Sequence, residues 1–246
     1  VPQSGPAGQD LVRKIERALP ESLFRRARRA IARIGTEGLR KSYFTTFWLP
    51  RGADPAHAVE EAVLALSAIA APAGRWSGTE WWIGRSHTTD LPIGFHFDED
   101  VKGPRIRHPL LSSVLFFNSV RGGHLAVTDQ RPGSGEATRL ATVKPRANRY
   151  AVFAGDLFHG VLDARGRTPG RRLPGAPGRL RITLVVNFWE RRPTGVQEWT
   201  AGRTFRKLGF RSGRGRALPD GRDRDHLRRP GAAVVRPAPR LVEVRR

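Results

Sequence analysis

The sequence predicts a mainly β domain with flanking helices, and three observations carry that prediction. From Trp76 to Trp189, short apolar runs recur between turns bearing Gly, Pro and Asp, the pattern of strands that bury one face. Ahead of them, apolar residues recur at helical spacing instead. The chain has 246 residues and 39% hydrophobic content, enough for one such domain with a sizeable core.

Asp10 to Leu19, with Leu11, Ile15 and Leu19 on one face, predicts a first helix capped by Asp10, and Glu21 to Ile34 predicts a second, with Pro20 between them. Tyr43 to Leu49 is β-rich. Asp54 as N-cap with Pro55 at the first helical position opens a helix running to about Ala70. Thr79 to Arg85 reads as a strand, on which the adjacent Trp81 and Trp82 point to opposite faces, one to the core and one to a pocket. Leu91 to Asp98 is strand-like. Leu110–Asn118 and His124–Thr128 read as hairpin strands around the turn Arg121-Gly-Gly123, and Arg149–Val161 as two strands around a Gly155-Asp156 turn. The longest strand is Gly178 to Trp189. It turns Arg179, Arg181, Thr183, Val185, Asn187 and Trp189 to one side, and Leu180, Ile182, Leu184, Val186 and Phe188 to a core on the other. The organisation expected is a supporting segment 1–75, a β core 76–190, and a basic extension 191–246 whose Arg214–Arg246 tail is mobile or ordered by a partner.

Composition excludes several chemistries. There is no Cys, so disulfides, thiolate metal sites and a cysteine nucleophile are all ruled out. The N-terminal residues lack a basic start followed by an apolar run, and the longest apolar stretch, Ala62–Ala73, is too short to span a bilayer. A cytoplasmic protein is expected. The formal charge is +22, and only five of the 44 Lys and Arg are Lys. Arg-rich composition accounts for the choice of Arg over Lys but not for the scarcity of acids. A solvated surface is the general reading, and an anionic partner, nucleic acid or acidic peptide, the sharper one.

The chemistry is concentrated in His96-x-Asp98 and the distant His159. Side chains two apart on a strand share a face, so one imidazole and one carboxylate converge from a single segment. A second imidazole completes a two-His, one-carboxylate set that leaves metal positions open, the ligand mix of non-haem Fe(II) sites. Arg181-x-Thr183 adds a guanidinium and a hydroxyl on one strand face, a pair suited to a carboxylate.

In this order the residues resemble the 2-oxoglutarate/Fe(II)-dependent dioxygenases, over roughly Trp76 to Trp189. The resemblance implies a double-stranded β-helix, or jelly roll, core. It implies Fe(II) held by His96, Asp98 and His159, and 2-oxoglutarate held through its far carboxylate by Arg181 and Thr183. With O₂ it implies an oxidant that hydroxylates a C–H bond and leaves succinate and CO₂. Asp98 argues against the halogenating variant, which lacks this carboxylate; desaturation and cyclisation stay open. The stretch Asp163–Gly178 makes the interval from His159 to Arg181 longer than in many members, which leaves Arg179 as a second candidate for the clamp; Arg181 is favoured because Thr stands two places on.

Asn118 and Asn187, amides in apolar strands, are either satisfied structurally or contact the co-substrate. His124, Trp82 and Asp100 are candidate substrate contacts, and His87 and His108 read as loop residues. The expected substrate is a small molecule, amino acid or natural-product peptide. A nucleic-acid demethylase of the same superfamily is the rival, disfavoured because Asn187 stands where that group resembles a second Arg. A cupin-like metal protein or a binding barrel without catalysis is the alternative outside the oxygenases.

Overall fold

The computed structural model describes residues 10–41, 45–70, 72–86, 94–163, 165–168, 181–200 and 210. Two antiparallel sheets face each other. The larger has the order β1-β7-β4-β9-β3-β2-β10 and the smaller β6-β5-β8, where β1 is Arg13–Ile15, β2 Phe47–Pro50, β3 Gly78–Ser86, β4 Leu111–Phe116, β5 His124–Thr128, β6 Leu140–Val143, β7 Arg149–Ala154, β8 His159–Leu162, β9 Arg181–Trp189 and β10 Gln197–Glu198. Among the described strands β10 alone pairs in parallel, with β2. A bridge between His96 and His159 places the His96 segment beside β8. Along the chain the segments therefore pass between the sheets: β3 in the larger, His96 by the smaller, β4 in the larger, β5 and β6 in the smaller, β7, β8 and β9 alternating again. That winding is the double-stranded β-helix expected from the sequence.

β9 sits between β3 and β4, and both its faces are buried. Outward, Leu184, Val186 and Phe188 join a core with Trp81, Leu115, Tyr150 and the apolar stripes of α1 (Glu21–Lys41) and α2 (Ala58–Ala70). Each fully buried Leu or Phe there contributes roughly 1.5–3 kcal/mol. Inward, Val185 joins Val114, Phe116, Leu125, Val127 and Phe153 between the sheets.

Two helical expectations are corrected. Asp10–Leu19 holds β1 rather than a helix, so Asp10 caps nothing. A ten-residue helix is marginal alone, whereas the extended segment pairs with the edge of β7. It is also tied by Asn148, whose side chain accepts from the Leu19 N–H and donates to the Leu19 carbonyl. The second helix starts at Glu21 as expected and is kinked at Gly35, whose φ of 70° is not helical. α2 begins at Ala58, not after Asp54. His57 Nδ1 accepts the Glu60 N–H while the Glu60 carboxylate accepts the Ala56 N–H, so a reciprocal cap forms three residues later. The extension after residue 190 is partly docked: β10 joins the sheet, and Trp199 and Phe210 lie in the outer core. Tyr43, the segment Leu91–Ile93, His87, Arg179 and the Arg214–Arg246 tail lie outside the described residues.

Candidate metal and anion site

His96, Asp98 and His159 offer ligand atoms that all lie within 4.8 Å of one another. His96 is held by its bridge to β8 rather than by a full strand, and His159 opens β8. In both imidazoles Nδ1 lies 2.9 Å from a backbone carbonyl, of Gly94 and of Leu157. That contact makes Nδ1 the protonated nitrogen and leaves the Nε2 lone pair for a metal. The two Nε2 atoms stand 3.6 and 3.5 Å from the Asp98 carboxylate. Ser112 Oγ donates to Asp98 Oδ2 at 2.7 Å, and His108 Nδ1 lies 2.9 Å from the Asp98 carbonyl, so His108 supports the ligand segment.

Burial is the largest influence on all three ligands and opposes every charged form. The adjacent His159 and His96 nonetheless hold Asp98 below the usual carboxylate range. His159, the more enclosed imidazole, is pushed down by burial. For His96 burial is outweighed by Asp98, and the net shift is upward. A carboxylate beside a neutral imidazole is the state a divalent ion needs. The donor set of two imidazoles and one carboxylate fits Fe(II).

The inward face of the larger sheet forms rows across the strands, each about 6.6 Å from the next along them. The row at the metal ligands is Glu80, Asn187, Ser112 and Phe153; the next is Trp82, Val185, Val114 and Ala151; the third is Gly84, Thr183, Phe116 and Arg149. Beyond lies Arg181, buried, with its guanidinium carbon 5.2 Å from the centre of the Phe116 ring. Arg181 Nε donates to the Gly123 carbonyl at 2.8 Å. Burial lowers its pKa to about 10, and among the described residues no carboxylate pairs with it. Two glycines make room for Arg181 and for Thr183. At Gly123, with φ of 66°, a Cβ would stand 2.6 Å from Arg181 Cδ, and at Gly84 one would stand 2.5 Å from Thr183 Oγ1.

The remaining candidates divide. Asn187 is buried on the inward face, and its Oδ1 has no hydrogen-bond partner among the described residues. Trp82 is half-buried on that face, while Trp81 is in the outer core. Three other candidates have different surroundings. Asn118 is outside the rows, and its Oδ1 accepts the Ile182 N–H, so it positions β9 beside Arg181. His124 alternates with Leu125 and Val127, which fill the space between the sheets, so strand geometry turns it away from the interior. Asp100 is buried and committed: its carboxylate takes Arg107 and both the N–H and the hydroxyl of Thr194, which anchors the loop after the ligand segment.

Glu80 went unnoticed in the sequence. It faces inward, directly across from Asn187, and accepts the Trp189 indole N–H at 3.1 Å. Burial, with Asp98 and Asp100 nearby, raises its pKa to about 7, against hydrogen bonds from Thr46 and Trp189. The available signal was an acid at an inward position of the apolar strand Thr79–Ile83.

No family model matches the sequence, and no curated protein matches it. Solved structures similar to the chain include a prolyl-4-hydroxylase of Pseudomonas putida, at 20% identity and TM-score 0.48 over 74% of this chain and 89% of that one. AviO1 from Streptomyces viridochromogenes is 16% identical, with TM-score 0.47 over 76% and 93%. HygX from Streptomyces hygroscopicus, solved with nickel and 2-oxoglutarate bound, is 13% identical, with TM-score 0.45 over 77% and 84%.

Proposed function

We propose that the protein is an Fe(II)- and 2-oxoglutarate-dependent oxygenase that hydroxylates a C–H bond of a small molecule, amino acid or peptide. The observation that carries this reading is Arg181: a buried guanidinium with no carboxylate partner among the described residues, on the larger sheet's face toward the metal ligands of the smaller one. A buried cation is costly unless paired, so the site suits an anion that the described residues do not supply. A metal-binding barrel without a dicarboxylate co-substrate has no use for it.

His96 and His159 would hold the iron through Nε2 and Asp98 through a carboxylate oxygen, with Ser112 keeping that carboxylate oriented. Bound iron, with 2-oxoglutarate and O₂, would supply the oxidising power to break an unactivated C–H bond, with succinate and CO₂ as co-products. Arg181 and Thr183 receive the far carboxylate, and the Asn187 amide, two rows nearer the ligands, is placed for the keto-acid end. The apolar row Trp82, Val185 and Val114 lies between these polar groups and limits water around the ion pair.

The test is succinate release from 2-oxoglutarate with and without Fe(II), alongside calorimetric titration of 2-oxoglutarate into the metal-loaded protein. Iron-dependent release is expected. Arg181→Ala should weaken 2-oxoglutarate by roughly 2–5 kcal/mol, thirtyfold or more, and leave iron affinity unchanged. Unaltered 2-oxoglutarate binding in that variant rules out the clamp.

A further inference from the structure

The row at the metal ligands ends, on β3, in a carboxyl group that the proposed reaction does not use. Glu80 stands across from Asn187, Asn187 across from Ser112, and Ser112 donates to Asp98, so one polar line crosses three strands to the metal ligand. Neighbouring positions on β3 face the outer core, where Trp81 is fully buried. Glu80 itself is only partly covered. The Trp189 indole explains why the side chain is oriented, but an indole N–H and a hydroxyl are equally served by an amide oxygen. They do not explain a carboxyl placed among other carboxyls.

We propose that Glu80 recognises the substrate, and that the molecule oxidised presents an organic cation, a protonated amine or guanidinium, to it. The inference rests on the oxygenase reading and names the substrate class for the same site. Its chemistry is complementary: a cation next to Glu80 would pair with a carboxyl that no cation meets among the described residues, and it would leave Arg181 and the metal ligands to the co-substrate. The raised pKa agrees with this, since the empty surroundings favour the neutral acid and an arriving cation would draw off its proton. The interior thus differs in sign from the surface. With a formal charge of +22, the molecule as a whole repels cations, so a preference for one must come from a local acid.

The probes are size-matched pairs, cyclohexylammonium against cyclohexanol and benzylammonium against benzyl alcohol. They are titrated calorimetrically into the full chain loaded with Zn(II) and 2-oxoglutarate. The wild type should favour each ammonium by about tenfold, as a charge-assisted hydrogen bond implies, and Glu80→Gln should lose the preference while keeping 2-oxoglutarate affinity. The wild-type comparison does not depend on a variant folding. No ammonium preference in the wild type, or an equal preference in Glu80→Gln, overturns the proposal. If 2-oxoglutarate binds normally in that case, the oxygenase reading stands. A wild type that takes Zn(II) but ignores 2-oxoglutarate overturns that reading, and with it the assignment of Glu80 to an oxygenase substrate.

Discussion

The two faces of β3 and β9 both bury polar groups, and they treat them differently. On the helix side, Glu60 and His57 cap α2 reciprocally. His57 is enclosed by Trp199, Phe210 and Trp81, at 4.4, 4.5 and 5.5 Å between ring centroids. The cap satisfies Glu60 and His57 Nδ1, while His57 Nε2 has no hydrogen-bond partner among the described residues and is sealed in aromatic surface. On the inner side Arg181 has no carboxylate and Asn187 Oδ1 has no partner among the described residues, and two glycines make room for the Arg181 and Thr183 side chains. One face is closed over its polar groups by aromatic packing; the other keeps its polar groups around the space between the sheets. Stability and binding should therefore separate by face, even for neighbouring residues of one strand.

The largest effect is expected at the metal ligands. His159→Ala should cost well over about a hundredfold in iron affinity, since even outer-shell changes cost roughly 10–100-fold; metal content after anaerobic loading measures it. Full iron occupancy would remove His159 from the ligand set. Next come two adjacent positions on β9. Leu184→Ala should destabilise the fold by roughly 2–5 kcal/mol in urea unfolding without altering 2-oxoglutarate affinity. Thr183→Val keeps the shape and should leave stability within about 1 kcal/mol, while weakening 2-oxoglutarate by roughly 1.5–3 kcal/mol, the worth of a hydrogen bond to a charged group. If the two variants shift the same property, the faces are not distinct in function.

A smaller effect sharpens the comparison at its edge. Gly123 shapes the inner site through space rather than contact chemistry. Its φ of 66° and the 2.6 Å from a built Cβ to Arg181 Cδ mean that alanine there must displace the guanidinium. Gly123→Ala should lower 2-oxoglutarate affinity about tenfold and stability by about 1 kcal/mol, with iron binding intact. Unchanged 2-oxoglutarate binding would show that Arg181 has room to move.

What the sequence made visible was whatever obeys strand alternation. Arg181 and Thr183 two apart, Trp81 opposite Trp82 and the inward-outward division of β9 follow from a period of two, while His96 and Asp98 converge from a segment held only by the bridge to β8, not from the strand expected at Leu91–Asp98. What stayed hidden depends on contacts between distant segments. Asp10–Leu19 has helical spacing, yet Asn148 and the β7 edge, more than a hundred residues away, hold it extended. Asp54 and Pro55 look like a helix start, yet the His57–Glu60 pair provides the cap. Asn118 and Asn187 are indistinguishable in sequence; only the fold gives one the Ile182 N–H and leaves the other's oxygen unpaired. Glu80 was overlooked because its neighbours across the sheet, Asn187 and Trp189, are remote in the chain.

The smallest effect tests whether the helix side is as closed as its contacts indicate. Burial raises Glu60 from 4.5 to about 7, so the folded protein binds this proton more tightly than the unfolded chain does. The stability it contributes is fully present below a pH of about 4.5 and is lost as pH rises through about 7. Glutamine keeps an oxygen for the Ala56 N–H and cannot ionise. Glu60→Gln should therefore be more stable than wild type by on the order of 1–2 kcal/mol at about pH 8, and close to it at about pH 5, in paired urea unfolding curves. His57, pushed down to about 3 by burial, and Glu80 titrate in both proteins and drop out of the difference. Such a gain would cost nothing in 2-oxoglutarate affinity, because the whole sheet lies between Glu60 and the anion site. A variant equally unstable at both pH values would mean that the ionised carboxylate, not merely its oxygen, completes the cap, and that the helix side too depends on a charge.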